Sequence, residues 1–149
     1  MISRMFHASF TVSDIDKSVD FYCNILGMKL GFDTAKAGIK MGGPVCDSIT
    51  GCIGTEQRMA FLSIEGGVLE LVQYTPAGKP LIDNKLSDIG TAHVCFKTDD
   101  IQKFYNKLIS HGVSVVSEPQ NLDGDTWIMY FRDPDGIFLE VIQGQPPVI

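Results

Sequence analysis

Two histidines and two glutamates recur in this sequence at matching places, and their donor atoms suit a divalent cation. His7 opens the run "HASFTV" and His93 opens "HVCFKT"; Glu70 sits in "LELVQ" and Glu140 in "LEVIQ". Two imidazoles with two carboxylates form a set of intermediate softness, roughly octahedral, that Zn, Mn, Co, Ni or Fe(II) can each accept. Two positions would then remain for water or substrate oxygens. Each glutamate interrupts a segment otherwise suited to burial. A buried carboxylate without a cationic partner costs several kcal/mol in effective terms, so the positive charge has to come from somewhere. Taken singly, a histidine or glutamate in a strand is more often structural or an edge residue. The weight lies in the same residue type recurring at equivalent positions of a repeat, twice.

The elements around these residues explain the spacing. In "FHASFTV", Phe6, Ala8, Phe10 and Val12 fall on one face and His7, Ser9 and Thr11 on the other, the alternation of a half-buried strand. "SDIDKSVDFYCNILG" follows, with Asp14 placed to cap and Ile15, Val19, Tyr22 and Leu26 at helical spacing; Gly27 stops it. "MKLGF" reads as a short strand. From residue 92 the plan repeats: Val94 and Phe96 on one face, His93 and Cys95 on the other, Asp99 or Asp100 as cap. Ile101, Phe104 or Tyr105, and Leu108 make the helical stripe, and Gly112 ends it. Residues 58–74 read as a hairpin turning at Gly66-Gly67, and residues 126–143 as one turning over Asp133–Gly136.

Each half is therefore strand–helix–strand–strand–strand, and the expected class is α+β, with paired βαβββ modules forming a curved mixed sheet around a metal site. One domain over 1–149 is expected, its modules at about 4–75 and 90–144. The His–Glu interval is longer in the first half, and the excess falls in "TAKAGIKMGGPVCDSITGCIGTEQ". That stretch reads as an insertion at about 34–57 carrying a short helical turn; residues at about 75–90 form the linker. If first and last strands are neighbours, each histidine meets its glutamate. The site can be built within one chain or across a homodimer.

Composition narrows the classes. The chain has 149 residues, 44% apolar and 20% charged, an ordinary globular balance. A formal charge of −6 argues against nucleic acid, whose phosphates need a basic face. No run approaches the roughly 20 apolar residues of a membrane span, and no signal-peptide pattern is seen, so a cytoplasmic location is expected. Cys23, Cys46, Cys52 and Cys95 lack C-x-x-C spacing and read as reduced, mostly buried thiols.

"FHASFTVSDIDKSVDFYCNILGMKL", "GGVLELVQY", "AHVCFKTDDI" and "YFRDPDGIFLEVIQ" together resemble the vicinal oxygen chelate superfamily, which includes glyoxalase I, methylmalonyl-CoA epimerase, extradiol dioxygenases and fosfomycin and bleomycin resistance proteins. The resemblance covers nearly the whole chain and places His7, Glu70, His93 and Glu140 on the four ligand positions, with one divalent metal per site. It implies an enzyme that abstracts a proton alpha to a carbonyl through a chelated enediolate, with Glu140 as first candidate base and Glu70 as second. Extradiol dioxygenases and fosfomycin transferases typically use two histidines and one carboxylate, so Glu70 counts against them. Glyoxalases of bacterial type carry an arginine shortly after the first histidine, where this chain has Ser9, Phe10 and Thr11. "SITGC" and "ELVQYTP" are closer to epimerase-type members. The expected function is thus a metal-dependent isomerase or epimerase acting on a small carbonyl-containing molecule, methylmalonyl-CoA-epimerase-like or sugar/cyclitol-epimerase-like. The alternatives are a glyoxalase I-like lactoylglutathione lyase and a non-catalytic small-molecule binder.

Other residues carry weaker readings. Asp47 and Glu56 are candidate outer bases but more simply solvated loop acids. Trp127, Met129 and Phe131 suit a pocket wall or the core equally. Arg58 and Arg132 are candidates for holding a substrate anion, and His111 fits a helix C-terminus, where a cation is favoured.

Overall fold

A computed structural model describes residues 1–145 of the chain. It divides into two compact units, Met1–Pro80 and Leu81–Ile149. Both are mixed α+β, each with a sheet covered by a helix on one face.

The first unit begins with β1 (Ala8–Thr11) and α1 (Ile15–Asp20), which continues as a π-helical turn over Phe21–Ile25. β2 (Lys29–Asp33), β3 (Met41–Gly42), α2 (Pro44–Thr50), β4 (Glu56–Ile64) and β5 (Gly67–Thr75) follow. The strand order is β1-β5-β4-β2, with β3 added to β4. β1 runs parallel to β5, and the other pairs are antiparallel. Asp14 caps α1 by accepting from the backbone N–H groups of Asp16 and Lys17. The apolar side of the sheet packs under that helix: Ile15, Tyr22, Ala60, Leu62 and Leu71 are fully buried. α2 is the helical turn inside the insertion, started by Pro44 and closed by Gly51 in the left-handed conformation at φ 71°.

The second unit repeats the plan with β6 (Val94–Lys97), α3 (Ile101–Ser110), β7 (Gln120–Asn121), β8 (Trp127–Arg132) and β9 (Phe138–Gln143). The order is β6-β9-β8-β7, again with the first strand parallel to the last. Asp100 caps α3 through the N–H of Lys103. Leu108, Phe131 and Leu139 are fully buried, and Phe104 meets Phe131 edge-on at 5.7 Å. Met129 and Phe131 are therefore core residues beneath α3, not pocket walls, while Trp127 stays 36% exposed. The strand expected after Gly112 is interrupted. Val115 bridges Phe131, Val116 N–H donates to the Tyr130 carbonyl, and pairing resumes only past Pro119, at β7. Proline has no N–H to donate, which breaks the ladder there.

The four cysteines are free, but only Cys46 is buried; Cys23 is half-buried, and Cys52 and Cys95 are exposed. The sequence reading of buried thiols fails for Cys95 because it shares the strand face of His93, away from the helix.

An ion network locks the helix side of the first unit. Arg58 reaches from β4 to Asp16 on α1 and Asp33 on β2, with N–O distances of 2.8 Å to each. The Asp33 side chain is 2% exposed and that of Asp16 75%, so Asp33 carries the energetic weight. The Arg58 hydrogen bond holds the Asp33 carboxyl below the usual aspartate range against the opposing effect of burial, helped by the Ala35 and Lys36 N–H groups and the Arg58 charge. A depressed carboxylate pKa stabilises the fold above the unfolded value of about 3.9, and this is lost as pH falls below it. Arg58→Ala is expected to cost about 3 kcal/mol at neutral pH by leaving a buried charge unpaired, with the deficit shrinking toward acid pH as Asp33, without its arginine, takes up a proton. Asp16→Ala is expected to cost under about 1 kcal/mol. Denaturant unfolding at pH 7 and pH 3.5 checks both. Leu108→Ala, which opens a cavity under α3, is expected to cost about 3 kcal/mol in the same assay.

Candidate metal centre

In each unit the parallel pairing of first and last strands sets a histidine beside a glutamate. Ala8 pairs with Leu69 and Ser9 with Glu70, so His7, one residue before β1, enters on the Glu70 side of the sheet. His7 Nε2 lies 3.4 Å from Glu70 Oε2. In the second unit Cys95 pairs with Glu140, and His93 Nε2 lies 2.9 Å from Glu140 Oε2. Both carboxylates are largely buried, at 14% and 13% side-chain exposure, while the histidines are 31% and 37% exposed. An aromatic ring stands edge-on to each imidazole. Phe61 meets His7 at 5.9 Å and 76°, and Tyr130 meets His93 at 5.3 Å and 84°.

The alternation along the last strands explains why one segment holds both a functional and a structural polar group. Glu70 faces away from the helix, while Gln73, three residues on, faces toward it. Gln73 Oε1 accepts from the Ile15 N–H at 2.9 Å, and Gln143 Oε1 accepts from the Ile101 N–H at 2.7 Å. Each glutamine thus satisfies an otherwise orphaned donor at a helix start and ties that helix to the strand that carries the glutamate. The twin glutamines were visible in "LELVQ" and "LEVIQ"; their odd, three-residue offset from the glutamates, which puts them on the opposite strand face, was the signal.

Around Glu140 the neighbours are polar. Burial first, then the charge of Glu140 and hydrogen bonding with it, push the Tyr130 hydroxyl up to about 12. Crowding by neighbouring atoms, then the charge of Glu140, push the Cys95 thiol up to about 11, although the residue as a whole is exposed.

Each His–Glu pair fits half of a cation's donor set. Neighbouring ligands of an octahedron with bonds of about 2.1 Å stand about 3 Å apart, close to both observed separations. His7 Nδ1 is buried without a hydrogen-bond partner among the described residues, so no second partner fixes that ring's tautomer. Among the described residues no three His, Cys, Asp or Glu side chains are gathered into one metal-holding group. The chain's units present two donors each.

The other sequence candidates lie elsewhere. Arg58 is committed to Asp16 and Asp33. Arg132 donates to the Asn84 side chain and carbonyl and to the Gly136 carbonyl, and its guanidinium lies 3.9 Å from the Phe138 ring centroid. Neither arginine is presented to a substrate anion. Asp47 accepts from the Gly54 N–H and shapes the insertion. Glu56 borders a cavity of about 320 Å³ with Thr34, Lys40, Met41 and Gln57; neither His7 nor Glu70 lines it. His111 sits at the end of α3, its Nδ1 2.8 Å from the Lys107 carbonyl.

Residues 4–141 match the family described as the Glyoxalase/Bleomycin resistance protein/Dioxygenase superfamily. A probable lactoylglutathione lyase of Synechocystis sp. is 31% identical over 144 residues, covering 93% of this chain and 94% of its own. Metallothiol transferase FosB of Shouchella clausii is 26% identical, covering 97% and 82%. A glyoxalase family protein from Bacillus cereus shares the fold with a TM-score of 0.82 at 21% identity, covering 98% of this chain and 97% of that one. No helix among the described residues is long and apolar enough to cross a membrane. With the strand–helix–sheet plan repeated in its two units and this match, the chain belongs to the glyoxalase/bleomycin resistance/dioxygenase superfamily and is an enzyme of it.

Proposed function

We propose that His7, Glu70, His93 and Glu140 hold one divalent metal per site, and that the enzyme moves a proton on a carbon next to a carbonyl of a small oxygenated substrate. The observation that carries the reading is the repeated His–Glu pair, at 3.4 and 2.9 Å, on the helix-free face of each sheet. When bound, the cation supplies the positive charge that polarises the substrate carbonyl and acidifies the neighbouring C–H bond.

The chain's own groups do the rest. The imidazole nitrogens are neutral donors that hold the cation without adding charge. Either carboxylate can accept the proton, and two carboxylates in one site allow removal and return from different sides, the requirement for epimerisation. Phe61 and Tyr130 pack against the histidine rings and limit their rotation. An isomerase or epimerase is the first reading. A glyoxalase-type lyase is the second, supported by relatives named lactoylglutathione lyase. Exposed Val45, Ile49 and Ile53, on and just after α2, give a second copy apolar surface to cover, which supports a homodimer.

Elemental analysis of protein purified without chelator is expected to find one divalent metal per site. Glu140→Ala is expected to lose it, and the activity with it, while keeping the wild-type circular dichroism spectrum. Unchanged metal content in that variant would count against the ligand set. Wash-in of solvent deuterium at the alpha carbon of a candidate substrate supports either enzyme; a requirement for glutathione selects the lyase.

A further inference from the structure

His93 stands just outside the sheet that it serves. β6 begins one residue later, and its ladder with β9 starts at the pair Val94 and Leu139. The backbone leading into His93 is a compact loop over residues 85–91. The Lys85 N–H donates to Asp88 Oδ2 at 2.7 Å, and the Asp88 N–H donates to the Lys85 carbonyl at 3.1 Å. The Thr91 N–H donates to the Asp88 carbonyl and Thr91 Oγ1 to the Lys85 carbonyl, both at 3.0 Å. Leu86 and Ile89 are exposed, so polar contacts rather than apolar burial give this loop its shape. Arg132 holds its near end to the sheet. One guanidinium nitrogen donates to Asn84 Oδ1 at 2.8 Å and to the Gly136 carbonyl at 2.7 Å, and the other donates to the Asn84 carbonyl at 2.7 Å. The same guanidinium lies 3.9 Å from the ring centroid of Phe138, its partner in the β8–β9 register, two residues before Glu140 on β9. Arg132 thus bears on both members of the pair, on His93 through the loop and on Glu140 through its strand. In the first unit the matching position is Ser63, opposite Val68, and His7 follows six exposed residues. The pair with the clamp stands at 2.9 Å and the pair without it at 3.4 Å.

Resting on the metal reading above, we infer that Arg132 is a positioning residue for the metal centre: by clamping Asn84 and stacking on Phe138 it holds the loop that delivers His93 against the strand that carries Glu140, and so sets this pair before a cation arrives. Ligands held in place beforehand lose less freedom on binding, which raises affinity without any new contact to the metal. The planar guanidinium suits the task because its fixed fork reaches Asn84 and Gly136 at once while its face lies on the ring. A lysine keeps the charge but offers one nitrogen and no plane, so it cannot make these contacts together.

Amide hydrogen exchange of the metal-free full-length protein, together with Co(II) titration followed by visible absorbance, tests the assignment. Arg132→Lys is expected to speed exchange at the Asp88 and Thr91 amides by about 10-fold or more, with the amides of α3 as slow as in wild type. It is expected to weaken Co(II) binding by about 10-fold. Asn84→Ala removes Oδ1 but leaves the carbonyl, and is expected to show both changes to a smaller degree. Leu108→Ala, destabilised in the same unit with the loop contacts intact, controls for a general loss of stability and is expected to keep wild-type Co(II) affinity. Unaltered exchange in Arg132→Lys, or faster exchange with unaltered Co(II) affinity, overturns the assignment while leaving the metal centre standing. A loss in Leu108→Ala as large as that in Arg132→Lys does the same. Wild-type protein that takes up no Co(II) overturns the metal reading and this inference with it.

Discussion

The parallel contact between the first and last strand of each unit is the constraint on which the candidate chemistry depends. β1 lies along β5 and β6 along β9, with Ser9 opposite Glu70 and Cys95 opposite Glu140. A parallel pair cannot be joined by a tight turn; it needs a long crossover, and here that crossover contains the helix and the intervening strands. The helix covers one face. The other face receives a histidine from the start of the first strand and a glutamate from the middle of the last. Without that pairing the two residues would be remote in sequence and unrelated in space.

The two faces of each sheet are chemically divided. The helix side holds the apolar core and the groups that fasten the helix, including Arg58 with Asp33 in the first unit. The far side carries the imidazoles, carboxylates and aromatic rings. Strand alternation makes this division inexpensive, because every second residue serves stability and every other one is available for chemistry. Arg132 shows a different use of the far side. Clamped by Asn84 and stacked on Phe138, it organises the β8–β9 turn and the segment leading into β6, not a ligand.

Much of this was legible in the residues because it follows from local period and capping. The alternation of "FHASFTV", the Asp14 and Asp100 caps and the hairpin glycines each depend on a few neighbouring positions. The repeat then placed His7 beside Glu70 and His93 beside Glu140, the two contacts on which the expectation of a four-residue metal set was built. Long-range pairings outside the repeat were not legible. Arg58 finds Asp33 25 positions away, and nothing local distinguishes it from an exposed strand arginine. Cys95 was misplaced because a thiol in an apolar run suggests burial, while its strand face decides otherwise. "VSVV" has strand composition, but Pro119 limits how much ladder it can complete.

Gln73 and Gln143 bear on how the units fold as well as on how they stand. A strand that slips by two residues keeps its apolar side inward and so evades the usual hydrophobic check on alignment. In these sheets such a slip would pull the glutamine amide away from the helix's first N–H and strand a donor that the native arrangement satisfies. The side-chain amide therefore acts as a proofreading contact for strand alignment. Misregistered sheets are penalised before any ligand arrives, and the carboxylate three residues upstream reaches its place as a by-product of correct assembly.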